Sequence, residues 1–175
     1  MHRTTVHRAL VTATALGLAL TTAPAAAQAV PASASAHIAA HHTSHANTNA
    51  PVKVRLTVQG PDGLLFKGRV RTKGHDVTTA TGGTRKCDGT NGGAHATKVP
   101  TPTAALDDAA RRHGFTWDGT WYASFDDFSV DTVKGVSGGG SAYWNISVNG
   151  TPTPVGGCQF RLKAGDRVAF TWTSF

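Results

Sequence analysis

From Val52 onward the hydrophobic pattern repeats every second residue. Val52, Val54, Leu56 and Val58 fall on one face, and Lys53, Arg55, Thr57 and Gln59 on the other; this is the alternation of a half-buried strand. Gly60-Pro61-Asp62-Gly63 supplies a turn, since proline presets φ and glycine accepts a left-handed position. The alternation then resumes, with Phe66, Gly68, Val70 and Thr72 set against Lys67, Arg69, Arg71 and Lys73. The spacing predicts a β-hairpin with one dry face and one cationic face. With the turn so centred, Arg55 stands opposite Arg69 and Lys53 opposite Arg71, an arrangement of like charges that is unfavourable in a sheet.

The pattern lapses between Gly74 and Pro100, where Gly and Thr dominate, and this stretch reads as a long loop around Cys87-Asp88-Gly89-Thr90-Asn91-Gly92-Gly93. Asp88, Thr90 and Asn91 carry oxygens of the kind calcium takes. Their spacing does not match a full binding loop with its terminal Glu, and a plain turn is expected. A helix follows, capped by Thr101 or Thr103, with Pro102 in its first turn and Gly114 at its end. Its apolar stripe is Ala105, Leu106, Ala109 and Ala110. Asp107 and Asp108 come early and Arg111, Arg112 and His113 late, as the helix dipole favours. Phe115 to Phe128 concentrates Trp117, Trp121, Tyr122, Phe125 and Phe128 around an expected Asp118-Gly119 turn. Most of these rings are needed by the core, with Trp117 and Trp121 the candidates for an exposed stacking face. A strand from Val130 to Val136 and a Gly138-Gly139-Gly140 loop lead to two last strands, Tyr143–Gly150 and Arg161–Trp172. In the first, Trp144, Ile146 and Val148 share the core parity, so Tyr143, Asn145 and Ser147 face outward. Hairpin, helix, then antiparallel strands predict an α+β, β-grasp-like small domain.

The residues ahead of Val52 build no core. Arg3 and Arg8 precede an apolar run from Ala9 to Ala23, too short to span a bilayer as a retained helix. Ala27-Gln28-Ala29 gives the small-residue cleavage pattern, with Ala34-Ser35-Ala36 as a second site, so residues 1–29 read as a signal peptide on the first. Residues 30–51 read as an Ala/His/Ser-rich disordered linker. Its His37, His41, His42 and His45 have no cysteine or carboxylate nearby, and no metal site is assigned to them. Residues 52–175 then form the one folded domain. The expected product is secreted and extracellular, with no membrane span once the signal is cleaved. In that compartment the two cysteines, Cys87 and Cys158, read as a disulfide.

Charge narrows the function classes. The chain carries a formal net charge of +7, and its acidic side chains are all Asp, with no Glu. That removes the commonest carboxylate pairs of glycosidases. Gly135-Val136-Ser137-Gly138-Gly139 matches a nucleophile-elbow pattern in letters alone. Glycines and a strand follow the serine, and no histidine occurs after His113. No phosphate-cradling loop, dinucleotide fingerprint or metal-binding His-Glu helix is present. No catalytic residue is assigned, and the chain is expected not to be an enzyme. A basic exported protein is suited to anionic polymers through electrostatics, without sequence-specific nucleic-acid recognition.

Tyr143-Trp144, Val148-Asn149-Gly150 and Lys163-Ala164-Gly165-Asp166 carry a resemblance that covers roughly Val52 to Phe175. In these blocks the chain resembles the C-terminal domain of the vitamin B12 carriers transcobalamin and intrinsic factor, in a small secreted bacterial version that is a domain of unknown function. The blocks Cys87–Asn91 and Val155–Gln159, and the helix opening Thr103-Ala104-Ala105-Leu106, belong to the same likeness. The resemblance implies a β-grasp-like fold and, in the carriers, a domain that closes over one face of a cobalamin held mainly by a helical barrel. Without that barrel, no cofactor is expected, and a corrinoid is not expected to bind this domain alone. Ligand contacts carried over by the resemblance fall on Tyr143, Trp144 and Asn145, to which the residues' own pattern adds Trp117 and Trp121. The leading expectation is a secreted, non-enzymatic binding or interaction module for an unidentified small molecule or protein. The alternative is a cell-envelope-associated protein that docks on anionic polymer through Lys53, Arg55, Lys67, Arg69, Arg71 and Lys73.

Overall fold

The computed structural model describes residues 49–175. The segment read as a signal peptide, and nearly all of the one read as a linker, with His37, His41, His42 and His45, therefore lie outside the described residues. β1 (Val52–Gly60) and β2 (Gly63–Thr72) form the hairpin that the alternation predicts. Arg55 stands opposite Arg69 and Lys53 opposite Arg71. Val54, Leu56, Val58 and Val70 are buried on one face, while the cations on the other are exposed.

The segment expected as a long loop contains a second hairpin. β3 (His75–Thr79) pairs antiparallel with β4 (Gly83–Cys87) as a separate two-stranded sheet. Val77, Thr79 and Cys87 turn inward, and Asp, Thr, Lys and Arg occupy most of the rest, so hydrophobic periodicity carries almost no signal here. α1 (Pro102–His113) begins and ends where expected. The Thr101 side chain accepts from the Ala104 N–H at 3.3 Å, which makes Thr101 rather than Thr103 the cap, and Gly114 closes the helix with φ 68°.

β5 (Trp117–Tyr122), β6 (Asp127–Val133) and β7 (Val136–Ser137) make a three-stranded antiparallel sheet. Asp118-Gly119 is a register irregularity inside β5, not a turn. The chain reverses instead after Tyr122, whose carbonyl accepts from the Phe125 N–H at 3.0 Å. The strand expected from Val130 to Val136 is interrupted at Lys134-Gly135, both with positive φ. β8 (Ala142–Val148) and the short β9 (Thr151–Pro152) are joined by Asn149 and Gly150, at φ 55° and 88°, the left-handed pair that a tight hairpin turn requires. β10 spans Arg167–Ser174, starting later than the pattern suggested.

β10 enters the main sheet between β1 and β8, parallel to β1 and antiparallel to β8. The resulting order is β2-β1-β10-β8-β9. The inner face of this sheet packs on Ala105, Leu106 and Ala109 of α1 and on Val130 and Val133 of β6. Phe170 and Leu56 are the largest side chains fully enclosed there. A smaller cluster, Val77, Cys87, Ala104, Phe128 and Cys158, surrounds the Cys87–Cys158 disulfide.

The α+β, β-grasp-like expectation is corrected by this arrangement. Strands hold 48% of the described residues and helices 12%, so the domain is mostly β. The stretch expected as a long loop became one additional sheet, and the aromatic stretch with the Val130 strand became another. The single helix thus covers only part of the main sheet, and β6 covers the rest. Among the described residues no helix is long and apolar enough to cross a membrane.

Candidate binding surface

Because only one face of the five-stranded sheet is packed, its other face is open, and strand parity decides what it displays. Across the sheet, Arg69, Arg55 and Arg167 stand in one row, each in register with the next on adjacent strands. One row toward the chain start, Arg71 faces Lys53; one row the other way, Lys67 faces Thr57, followed by Ala169 and Ser147. Beyond these come Gln59, Thr171 and Asn145, and then Thr173 with Tyr143. The face is therefore graded: cationic at one end, hydroxyl and amide in the middle, aromatic at the far end.

The described ion pairs involve only His75, Lys98 and Arg111 as cations, so none of the cations on this face has an ion-pair partner among the described residues. Asp166 is next to Arg167 in sequence. Its carboxylate is occupied, however, accepting from the Asn149 amide at 2.9 Å and the Lys163 backbone N–H at 2.7 Å. A depression of about 560 Å³ lies over the row, lined by Arg55, Lys67, Arg69 and Arg167 with Thr57 and Gly68. A smaller one, about 310 Å³, adjoins it through Arg55 and Arg69 and reaches Lys53. Lys73 lies past the end of β2, outside these rows.

The five ligand-contact candidates do not converge. Tyr143 is exposed and stacks on Phe175 with ring centroids 5.2 Å apart, and Asn145 is half-buried on the same outer face. Trp144 points the other way and is 5% exposed in the core, its indole N–H without a partner. Trp117 is half-buried against α1, donating to Asp107 at 3.2 Å. Trp121 packs edge-on against Phe128, with the Arg85 guanidinium 5.8 Å over its ring. Trp117 and Trp121 thus belong to the three-stranded sheet, and Tyr143 and Asn145 to the five-stranded one.

The disulfide loop is built around two buried carboxylates. Asp88 accepts from the Thr90 hydroxyl at 2.6 Å and its N–H at 3.2 Å, and its other oxygen meets Lys98 at 3.1 Å. Burial alone would raise its pKa, but the Thr90 and Lys98 bonds outweigh it and hold the carboxyl below its ordinary value. A carboxylate so engaged anchors the turn. Asp127 is 5% exposed and accepts from the Phe128 N–H at 2.8 Å and the Cys158 N–H at 2.9 Å. Burial pushes it up to about 7, against the pull of those donors. Ser137 accepts from the Gly139 N–H at 3.3 Å, and β8, not a helix, follows it.

Two residues that matter to these sites were not singled out from the sequence. Arg167 has a signal, since it shares parity with Ala169 and lies opposite the core positions Val168 and Phe170. Asp127 has none, because its burial depends on the Gly156-Gly157-Cys158 turn folding over it.

A family model described as a domain of unknown function (DUF4430) matches residues 120–174. No curated protein matches the chain. Among solved structures the chain is similar to that of haptocorrin in complex with Cbi, at 13% sequence identity and a TM-score of 0.47. That likeness covers 73% of this chain, which spans 26% of the other.

Proposed function

We propose that this chain is an exported, non-enzymatic binding module whose working surface is the open face of the five-stranded sheet, and that its ligand is an anionic polymer of the cell envelope. The observation that carries the reading is the row Arg69–Arg55–Arg167, with Lys53, Arg71 and Lys67 beside it and no ion-pair partner among the described residues. A solvated face that served only solubility would gain from interspersed acids, which relieve repulsion between neighbours. Here Asp166, next to Arg167 in sequence, has its carboxylate turned to Asn149 and Lys163. The disulfide is compatible with an extracellular location.

The reading centred on Tyr143, Asn145, Trp144, Trp117 and Trp121 is weaker as a single site, since these side chains are divided between two sheets and the core. What remains of it is the Tyr143–Asn145 end of the same open face.

Retention on isolated envelopes, followed across a sodium chloride series, tests the proposal. The expected result is binding that falls steeply with salt and is lost in Arg55→Ser/Arg69→Ser. Binding indifferent to salt and to that double variant, but abolished by Tyr143→Ala, would move the function to the aromatic end.

A further inference from the structure

Resting on the polyanion reading, we infer that the sheet face is matched to one class of polymer: a linear polyol phosphate, whose phosphodiester groups seat at the arginine row. Three features of the face favour it over other polyanions.

The first is the choice of cation. The central row is all arginine, on three adjacent strands, with one lysine in each flanking row, Lys53 and Lys67. A guanidinium offers a planar fork of donors that fits phosphate oxygens in pairs, whereas an ammonium acts as a compact point charge. Guanidinium is also more weakly hydrated, so it gives up water for a diffuse anion such as a phosphodiester at lower cost. The depression over the row, about 560 Å³, exceeds the volume of one phosphate several-fold and leaves room for the atoms on both sides of a diester.

The second is pitch. Successive outward residues on a strand are separated by about 7 Å, twice the rise per residue. Lys53 with Arg71, then Arg55 with Arg69 and Arg167, then Lys67, form three levels at that pitch along β1 and β2. A phosphodiester chain linked through a short polyol repeats its charge at about the same distance when extended. Laid along the strands, it places one phosphate per level.

The third is what lies alongside. Next to the cations the face offers Thr57, Gln59, Thr171, Asn145 and Ser147, hydrogen-bonding groups suited to the hydroxyls of a polyol. Single-stranded nucleic acid needs aromatic faces close to the phosphate track, on which successive bases stack. On this face the exposed ring, Tyr143, is paired with Thr173, six residues along β10 from Arg167 and so about 20 Å from the arginine row.

The test compares three polymers of matched charge and length against the full chain: poly(glycerol phosphate), polyglutamate and single-stranded poly-dT. Binding is measured by calorimetry at several salt concentrations, with circular dichroism to confirm that each variant is folded. Poly(glycerol phosphate) is expected to bind about tenfold or more tighter than the other two near physiological salt. Arg55→Lys, which keeps the charge and removes the fork, is expected to erase most of that preference with little change toward polyglutamate. Equal affinity for all three polymers would overturn the phosphate assignment and leave the polyanion reading standing. Tighter binding of poly-dT would overturn it in favour of nucleic acid, and absence of binding to any polymer at low salt would overturn both.

Discussion

Arg55 stands directly opposite Arg69 across the antiparallel β1–β2 pair, and the next strand places Arg167 on its other side. Like charges in register oppose sheet formation by about 0.2–1 kcal/mol per pair. A row with no role but folding would be relieved by a single neutral substitution. Replacing Arg69 with Thr, a good strand residue, is therefore expected to raise stability by about 0.5 kcal/mol in urea unfolding at low salt. The gain should shrink as salt screens the row. The same variant should bind anionic polymer less well, a trade of stability for binding. A loss of stability on this substitution would show that Arg69 makes contacts that favour folding and outweigh the repulsion.

The Cys87–Cys158 bond closes a loop across a sequence separation of 71 and buries both sulfurs in the small cluster with Val77, Ala104 and Phe128. In the chain-entropy account a loop of this size stabilises the fold by about 4 kcal/mol. Native protein is expected to show no thiol reactive to alkylation. The Cys87→Ser/Cys158→Ser variant should unfold at markedly lower denaturant, with the β3–β4 hairpin losing amide protection first. Labelling of Cys87 and Cys158 in the unreduced native chain would contradict the assignment.

How far the sequence announced this structure depends on where each signal was local. The β1–β2 register was legible because Gly60-Pro61-Asp62-Gly63 fixes the turn and parity does the rest. Thr101, Gly114 and the inward parity of Trp144 were legible for the same kind of reason. The β3–β4 hairpin was hidden because Asp76, Thr78, Thr84 and Lys86 fill its outer side and Arg85 stands opposite Val77 on the inner one, which leaves few apolar positions to alternate. Nothing local could reveal that β10 inserts beside β1, since a parallel pairing has no turn to mark it. The site followed the fold in this respect. The hairpin cations could be read early, while Arg167 joins them only through that long-range pairing. The scatter of Trp117 and Trp121 away from Tyr143 is a consequence of the unforeseen third sheet.

His75 makes the main sheet's neighbour sensitive to pH. Its Nδ1 lies 2.8 Å from the Lys73 carbonyl, and its Nε2 lies 3.0 Å from the Asp107 carboxylate and 3.1 Å from the Arg111 guanidinium. Burial and the nearby Arg111 disfavour the charged ring, but the Asp107 and Lys73 bonds and the charge of Asp108 outweigh them, and the pKa is raised above 6.5. A raised folded-state value means the folded chain holds the proton more tightly. Its stabilisation is complete below pH 6.5 and is lost as pH rises through the folded-state value. His75→Gln should therefore cost about 1 kcal/mol at pH 6 and less at pH 9, as read from unfolding curves at the two pH values. An equal loss at both would mean that the imidazolium contributes nothing beyond its packing.

Asp127 acts in the same direction with greater reach. Enclosure beneath Gly156, where an added Cβ would collide with the carboxylate, pushes its pKa up to about 7 from 3.8. In the unfolded chain the group ionises near 4, so between roughly pH 4 and pH 7 the unfolded state sheds a proton that the folded state keeps. Stability should fall across that window, by up to about 4 kcal/mol if the whole shift is expressed. His75 adds to the decline only at the upper end, so His75→Gln separates the two contributions. The measurement is urea unfolding at half-unit pH steps from 4 to 8, on the wild type and on Asp127→Asn, which cannot ionise. The variant is expected to flatten the curve between pH 4 and 7 while leaving the later His75 decline in place. A wild-type curve that rises with pH across the same window would mean that the Cys158 and Phe128 N–H donors overcome the burial and keep Asp127 ionised in the folded protein.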